Sequence, residues 1–550
     1  MSDKFDVAVI GSGPGGSVVS TFLAQKGYRV VLIEREEFPR FHVGESLLPG
    51  TQQVWERMGL SEKLQHSGHT FKYAGEFRIG RWPDDSGIIK STGYFYNVPR
   101  PDMGPRPYAY QVERSVFDKQ LQDCAVEHGV TLWENTSVQE VILDGNGRAT
   151  GLNLRRKDRG SETLEVDFVV DASGRRVLMG RQLGNIVLDP VIKTSAVFGH
   201  FQGIPRDPGH RQGFFNGYFI PNGWVWFIPL CHGIMSVGVV QNQPATDDWS
   251  NDAEAVISST INRYKFLQDR FQNAVQVGRI RRLKDLAYTT TKFCGDGWLS
   301  IGDANFFVDP LYSSGVQIAH TTADRAATAV DEFLKSGRDM RAIRKYEQFI
   351  HQYRKNVFRP MRCFYRCMRH YKAIGGYVKS TGVWFNHFDN WFLRRAVCWG
   401  TGFDRHQWVI DLMTLSGNIW AWLAPRVGYG GWPRYEQRPY HGAPLVIPKA
   451  PELATLTDHE AEHVPITMRM ARQEAETSHA IGGNGEAAVT AKRPCSAAET
   501  FRRESTTSSR QVQRRGSVGA QDRTGTGRPA CQNGSDVGRR ASCSREQCSR

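Results

Sequence analysis

From Phe5 to Glu34 the chain spells out one continuous pattern. Phe5 to Ile10 (FDVAVI) reads as a short buried strand and Gly11-Ser12-Gly13-Pro14-Gly15-Gly16 as a glycine turn. Ser17 to Gln25 reads as a helix, and Arg29 to Ile33 as a second strand that ends in Glu34. Strand, GxGxxG turn, helix, strand and acid in this order constrain the chain to an α/β fold that opens on a dinucleotide site. Each residue type has its reason. Gly11 permits the tight turn, Gly13 lets a pyrophosphate approach the backbone, and Gly16 brings the helix close to the strand. The helix start then faces the phosphates, and Glu34 is placed to accept hydrogen bonds from a ribose. A purely structural glycine turn would leave Glu34 without a purpose.

With 550 residues, 40% of them hydrophobic, the chain can bury a large core and should hold more than one structural unit. Its net charge of +14 is unevenly placed: residues 491–550 carry thirteen Lys or Arg against five Asp or Glu. That segment has a single aromatic residue, Phe501, and its Arg, Ser, Gly and Thr content cannot offset the entropy of ordering. We expect a disordered basic tail over 443–550, with no nucleic-acid motif in it. Six cysteines are scattered before residue 400 and four lie in the tail, which argues against a disulfide framework and for a reducing compartment. Cys363 and Cys367 stand one helical turn apart without further ligands, so no metal site is expected. The first strand starts almost at once and no apolar run reaches about 18 residues, so the expectation is a cytoplasmic protein without a membrane span.

Two later segments read as strands that return to the same site. They are Phe168-Val169-Val170-Asp171-Ala172-Ser173-Gly174 and Trp298-Leu299-Ser300-Ile301-Gly302-Asp303-Ala304. They resemble pieces of the FAD-binding fold of the aromatic hydroxylases and their relatives. The resemblance covers roughly residues 4–340. It implies that Asp303 contacts the ribityl and pyrophosphate part of FAD, and that Arg114, in Gln111-Val112-Glu113-Arg114, lies near the flavin; Arg40, in Pro39-Arg40, belongs to the same set. No second GxGxxG follows a strand, so a nicotinamide site is not visible.

The stretch Gly223-Trp224-Val225-Trp226-Phe227-Ile228-Pro229 puts Trp224, Trp226 and Ile228 on one strand face, which alone reads as core packing. Trp224, Trp226, Ile228 and Pro229 also match in full the WxWxIP pattern of the flavin-dependent halogenases, between the same two flavin segments. Two other places fit that resemblance. Lys72, in His69-Thr70-Phe71-Lys72-Tyr73, matches the lysine with which the family holds or carries the electrophilic halogen, and burial would favour its neutral amine. Asp309-Pro310-Leu311-Tyr312-Ser313-Ser314-Gly315 precedes a helix, where small hydroxyl residues and a glycine expose amides to an anion. The resemblance implies chloride at Ser313, Ser314 and Gly315, with Pro310 and Gly315 beside the flavin. A helix cap by the two serines is the plainer alternative. Tryptophan halogenases carry a glutamate where this chain has Tyr312, which points to phenols, pyrroles or carrier-tethered substrates instead.

Residues 331–427 read as helical and rich in aromatic and basic side chains, among them Tyr353, Phe364, Tyr365, Trp384, Trp399 and Trp408. Basic residues from Arg354 to Arg369 are candidates to face an acidic carrier protein. The expected organisation is a halogenase core over 1–340, a helical region over 341–442 and the tail. The core comprises a Rossmann-like, aromatic-hydroxylase-like FAD domain and an inserted mixed substrate-side sheet at about 190–280.

By resemblance, FADH2 from a separate NAD(P)H:flavin reductase reacts with O2 to a C4a-hydroperoxide, and chloride attacks it. The resulting hypochlorous acid is then directed by Lys72 to an electron-rich aromatic in natural-product biosynthesis, with the tryptophans as the wall between flavin and substrate. A FAD-dependent aromatic monooxygenase is the alternative, followed by a flavin-dependent reductase of isoprenoid double bonds and a non-catalytic flavin-binding subunit.

Overall fold

The computed structural model describes residues 5–79, 89–95, 106–220, 223–242, 252–368, 443–450 and parts of 415–426. All lie in one compact unit, residues 1–497; a second unit, 498–550, falls outside the described residues. In chain order the main elements are β1 (Phe5–Ile10), α1 (Pro14–Ala24), β2 (Val30–Ile33), β3 (Thr70–Lys72), β4 (Ala74–Ile79), α2 (Arg114–Glu127) and β5 (Gly160–Asp171). They continue as β6 (Thr194–Gln202), β7 (Phe215–Ile220), β8 (Gly223–Pro229), β9 (Met235–Asn242), β10 (Val275–Leu283), β11 (Trp298–Ser300), α3 (Gly315–Lys335) and α4 (Arg341–Met368).

The first sheet has β1 at its centre, parallel to β2 on one side and to the second half of β5 on the other. Strand β11 lies parallel beyond β5, and Thr131–Trp133 beyond β2. Its central strands are continuous apolar runs because both faces are covered: one by helices, the other by the antiparallel strands Thr136–Leu143 and Ala149–Arg156, which set Val138, Val141, Leu152 and Leu154 against Ala8, Ile10, Val31 and Val169. α1, α2 and α3 bury Val18, Phe22, Phe117, Leu121, Ala326 and Val330 in one core with Val7, Val9, Leu32 and Val170. Asp171, at the C-terminal end of β5, thus comes to lie beside Ile10, at the edge from which the glycine turn leaves.

The second sheet runs β10, β6, β9, β8, β7, β4 and then Ile89–Tyr94. It is antiparallel except where β7 meets β4. A mixed sheet stands over the stretch 190–280, as expected, and it takes in two further strands from 74–94 that the sequence did not announce. The faces of β8 divide as alternation requires: Trp224, Trp226 and Ile228 turn to one core with Phe215, Phe358 and Phe364, while Val225 and Phe227 turn to another beneath Ile257 and Leu267. Lys72 ends β3, a short strand paired with Ala109–Gln111.

α4 is the described part of the region expected to be helical; Trp384, Trp399, Trp408 and Arg369 lie outside the described residues. Residues 443–450, placed in the tail by composition, instead run along β10. Gln276 N donates to Pro448 O (2.8 Å), Ala450 N donates to Gln276 O (3.0 Å), and Leu445 and Ile447 pack on the core below. Of the three consecutive apolar residues Leu445, Val446 and Ile447, the first and third turn to the core and Val446 stays exposed. Net charge summed over a long window conceals that pattern. Among the described residues no helix is long and apolar enough to cross a membrane.

Candidate functional site

A cleft of about 330 Å³ runs from the end of β1 to the aromatic face of β8. Its floor at one end is the glycine turn, and the geometry there leaves no room for side chains. Gly11 has φ +97°, and a Cβ on it would sit 2.6 Å from the Ala172 carbonyl oxygen; one on Gly16 would sit 1.8 Å from the carbonyl oxygen of Gly11. Gly13 is open except for the Arg40 guanidinium, 3.6 Å from where its Cβ would stand. α1 begins at Pro14, so its first amides face the cleft without an intrahelical acceptor. Glu34 closes this end: its Oε2 accepts from Ser12 N (2.8 Å) and Ser12 Oγ (3.2 Å), which ties the acid of β2 to the turn.

In the middle of the cleft stand Arg40, Arg114 and Asp303. Arg114 donates from Nε and Nη2 to both oxygens of Asp118 (2.6 and 2.8 Å) and from Nη1 to the Val43 carbonyl (2.6 Å). It therefore braces the 42–44 turn as well as lining the cleft. Asp303 follows β11, and burial pushes its carboxyl up to about 6 against the pull of Arg175 and Arg114. That shift is the signature of an acid at an enclosed wall. A half-buried acceptor there suits a polyhydroxylated chain, and the glycine cradle suits a pyrophosphate. The donor set therefore fits a flavin dinucleotide along the whole floor.

At the other end are the residues that the sequence set apart. Trp224, Trp226 and Ile228 line the cleft, the two indole rings 5.7 Å apart, while Pro229 ends the strand. Trp226 Nε1 donates to Ser236 Oγ (3.2 Å), and Trp224 Nε1 to the Tyr365 hydroxyl (3.1 Å). The turn Pro310–Tyr312 leads to Ser313, at φ +57°, and Ser314 precedes the first residue of α3, Gly315. Neither serine side chain caps the helix, so its first-turn amides stay directed at the cleft that Ser313, Ser314 and Gly315 line. Lys72 is 2% exposed; its Nζ donates to the Leu47 carbonyl (2.9 Å) and to Ser313 Oγ (3.3 Å), with the Phe95 and Phe215 rings 5.4 and 5.7 Å away. Burial lowers its amine to about 7. Lysine and serine turn, expected as two ends of a passage, are here joined by one hydrogen bond. Tyr312, in the glutamate's place, is buried between Phe77 and Phe364.

Some features were missed or misplaced. Glu45 and His200 form a buried pair at the cleft wall (2.5 Å). Burial works against the imidazolium, but Glu45 outweighs it and raises the ring's pKa. Only the fold brings these residues together, 155 positions apart. Arg354, grouped with the basic surface, is in fact buried: it donates to the Thr290 and Asn305 carbonyls (2.8 and 2.9 Å). Arg362 pairs with Asp189 (2.6 Å), and from Arg354 to the end of this helix the exposed basic positions are Lys355, Arg359 and Arg366.

The profile of the Tryptophan halogenase family matches residues 6–97 and 90–371. A 1H-pyrrole-2-carbonyl-[peptidyl-carrier protein] chlorinase from Pseudomonas fluorescens is 30% identical over 66% of this chain and 85% of its own. The corresponding brominase from Pseudoalteromonas luteoviolacea is 31% identical over 60% and 78%. Among solved structures, the myxobacterial chondrochloren halogenase, described as a variant of FAD-dependent halogenases, superposes with a TM-score of 0.58 at 30% identity, covering 77% of this chain and 90% of that one. The family profile spans more than half of the chain, and the chain belongs to the flavin-dependent halogenases, enzymes that use FAD.

Proposed function

We propose that this enzyme chlorinates an electron-rich aromatic, a phenol, tyrosyl group or pyrrole, free or held on a carrier protein, with reduced flavin received from a separate reductase. The observation that carries the reading is Lys72: a buried amine among aromatic rings, hydrogen-bonded to Ser313, which itself lines the cleft that fits a dinucleotide.

Gly11, Gly13 and the start of α1 would hold the pyrophosphate, Glu34 the adenosine ribose and Asp303 the ribityl chain, with Arg40 and Arg114 beside them and the ring system before Pro310 and Gly315. When bound, the reduced flavin supplies the two electrons that let O2 convert halide to hypohalous acid. The first-turn amides of α3, with Ser313 and Ser314, attract the halide. Lys72 takes the hypohalous acid through its Nζ and fixes where the electrophilic halogen stands. The aromatic carbon then displaces hydroxide from the halogen, and loss of the ring proton gives the aryl halide and water. A phenol or pyrrole activates its own ring, so no carboxylate in the place of Tyr312 is required. Trp224 and Trp226 exclude the substrate from the flavin face by bulk, which keeps oxidation and halogenation apart.

The test supplies a flavin reductase, NADH, FAD and either chloride or bromide to the full chain, with a panel of phenols and pyrroles offered free and carrier-bound. Mass spectrometry should find halogenated product with the wild type and a loss of at least about 100-fold with Lys72→Ala, while flavin affinity stays within about twofold. Oxygenated product without halogen would identify an aromatic monooxygenase instead.

A further inference from the structure

Asp309 lines the cleft, yet every hydrogen bond to its carboxylate comes from inside the wall. Oδ1 accepts from Leu311 N (3.0 Å), and Oδ2 accepts from Thr194 Oγ1 (3.1 Å) and from the Tyr365 hydroxyl (2.7 Å). Tyr365 in turn accepts from Trp224 Nε1 (3.1 Å). All four side chains are at least 97% buried. The direction of this chain is fixed by chemistry. An indole N–H only donates, so the tyrosine oxygen must accept from it, and the single tyrosine proton is left for the carboxylate. A buried carboxylate is costly, and an apolar residue of similar size would hold the packing as well or better. Stability alone therefore does not account for Asp309.

Its position in sequence supplies a reason. Asp309 opens the turn whose other end is Ser313, and Ser313 is the residue hydrogen-bonded to Lys72. One seven-residue stretch, Asp309 to Gly315, thus holds the lysine at one end and, through Tyr365 of α4, the wall tryptophan at the other. We propose that Asp309 and Tyr365 are positioning residues that set the Trp224 indole against the turn at Ser313, so that lysine, halide turn and aromatic wall keep one spacing. Neither touches the reacting atoms. Their effect lies in how much of the oxidant reaches the aromatic ring before it escapes. This rests on the reading of the site as a halogenating cleft, but the chain of bonds itself is testable without flavin or turnover.

The experiment labels the indole nitrogens of the fourteen tryptophans with 15N in the flavin-free protein and assigns the Trp224 N–H by its disappearance in Trp224→Phe. Asp309→Asn, which does not touch Trp224, should shift that resonance and speed its hydrogen exchange at least about tenfold, as should Tyr365→Phe. An unchanged Trp224 resonance in folded Asp309→Asn overturns the proposal. In turnover, Tyr365→Phe should bind flavin as the wild type does, halve or further reduce halogenated product per NADH, and raise the halogenation of a soluble hypohalite trap by the same amount. The double variant Tyr365→Phe/Trp224→Phe should be no worse than either single one. Altered melting with unchanged partition between product and trap would mark the chain as structural only and overturn it. A wild type that yields no halogenated product refutes the halogenating reading, while the NMR result still decides whether Asp309 positions Trp224. If Asp309→Asn does not fold, Thr194→Val, which removes one donor to the same oxygen, should give the same shift in weaker form, and no shift there counts against the proposal.

Discussion

Lys72 Nζ has the Leu47 carbonyl and the Ser313 hydroxyl as partners, and neither neutralises an ammonium. Its amine, 10.5 when free, is held near 7 by burial. The unfolded chain therefore takes up a proton at this site between about pH 10 and pH 7 that the folded chain does not. Stability contributed by the site falls as pH drops through that window and levels off below it. Lys72→Met should accordingly raise the melting temperature at pH 7, by the equivalent of about 1–3 kcal/mol after the lost hydrogen bonds are counted, while abolishing halogenation. The gain should shrink when melting is repeated at pH 9.5. A variant less stable than wild type at pH 7 would mean that the amine is solvated. The same depressed value leaves a sizeable share of neutral amine near pH 7, where the chemistry proposed for it needs a lone pair.

The strand β8 illustrates how an element makes room for its own function. Trp226 lies opposite Gly217 on β7 and Gly238 on β9, and its ring crosses the second so closely that a Cβ there would come within 2.2 Å of Cζ2. Strand β9 thus leaves a slot for the indole at Gly238, while the space over Gly217 is taken by Phe77, and Phe198 beyond Gly238 packs against the Trp226 ring at 5.9 Å. Trp226→Ala should empty that slot, cost about 3–5 kcal/mol, and let hypohalous acid or hydroxylated product escape. Gly238→Ala should produce the same leak while adding only one methyl group, because the ring has to leave its place. Trap halogenation in place of substrate halogenation is the measurement for both. Unaltered product yields in Gly238→Ala would return the wall to plain packing. The alternation of Trp, Trp and Ile was readable from the sequence, and so was the strand. That Gly238 on the neighbouring strand makes the slot depends on register, which no local pattern in 223–229 contains.

At the scale of the molecule, the segment 443–450 closes the β10 edge of the substrate-side sheet, where an open row of amides and carbonyls would otherwise stand. A chain ended at Ala450 should therefore melt higher than one ended at Gly442, by about 1–3 kcal/mol for the area under Leu445 and Ile447 and the two hydrogen bonds to Gln276. Equal melting of the two would show that the edge needs no cover. Composition alone assigns the whole of 443–550 to a tail, because three apolar residues carry little weight among so many polar ones. The opposite error occurred at Arg354, whose charge reads as surface. Its guanidinium instead satisfies carbonyls at Thr290 and Asn305 that the chain brings under α4 only when folded.

The glycine turn, the acid of β2 and the alternating face of Trp224, Trp226 and Ile228 could be read from the chain because each is a local requirement, whereas Lys72 was singled out by resemblance to the halogenases. A positive φ, a close approach, an alternating face or a reactive group leaves its mark on a few consecutive residues. From them followed the α/β fold and a dinucleotide site; the flavin and the class of chemistry came from the family resemblance. Tertiary structure alone decided the distances: Lys72 against Ser313 across 241 positions, Glu45 against His200, and Asp309 joined through Tyr365 to Trp224. Such pairs are set by how two sheets and the helix α4 pack around one cleft. A single sequence records which groups are present and which short stretches they favour, while the spacing between distant groups is an outcome of the packing of the whole core.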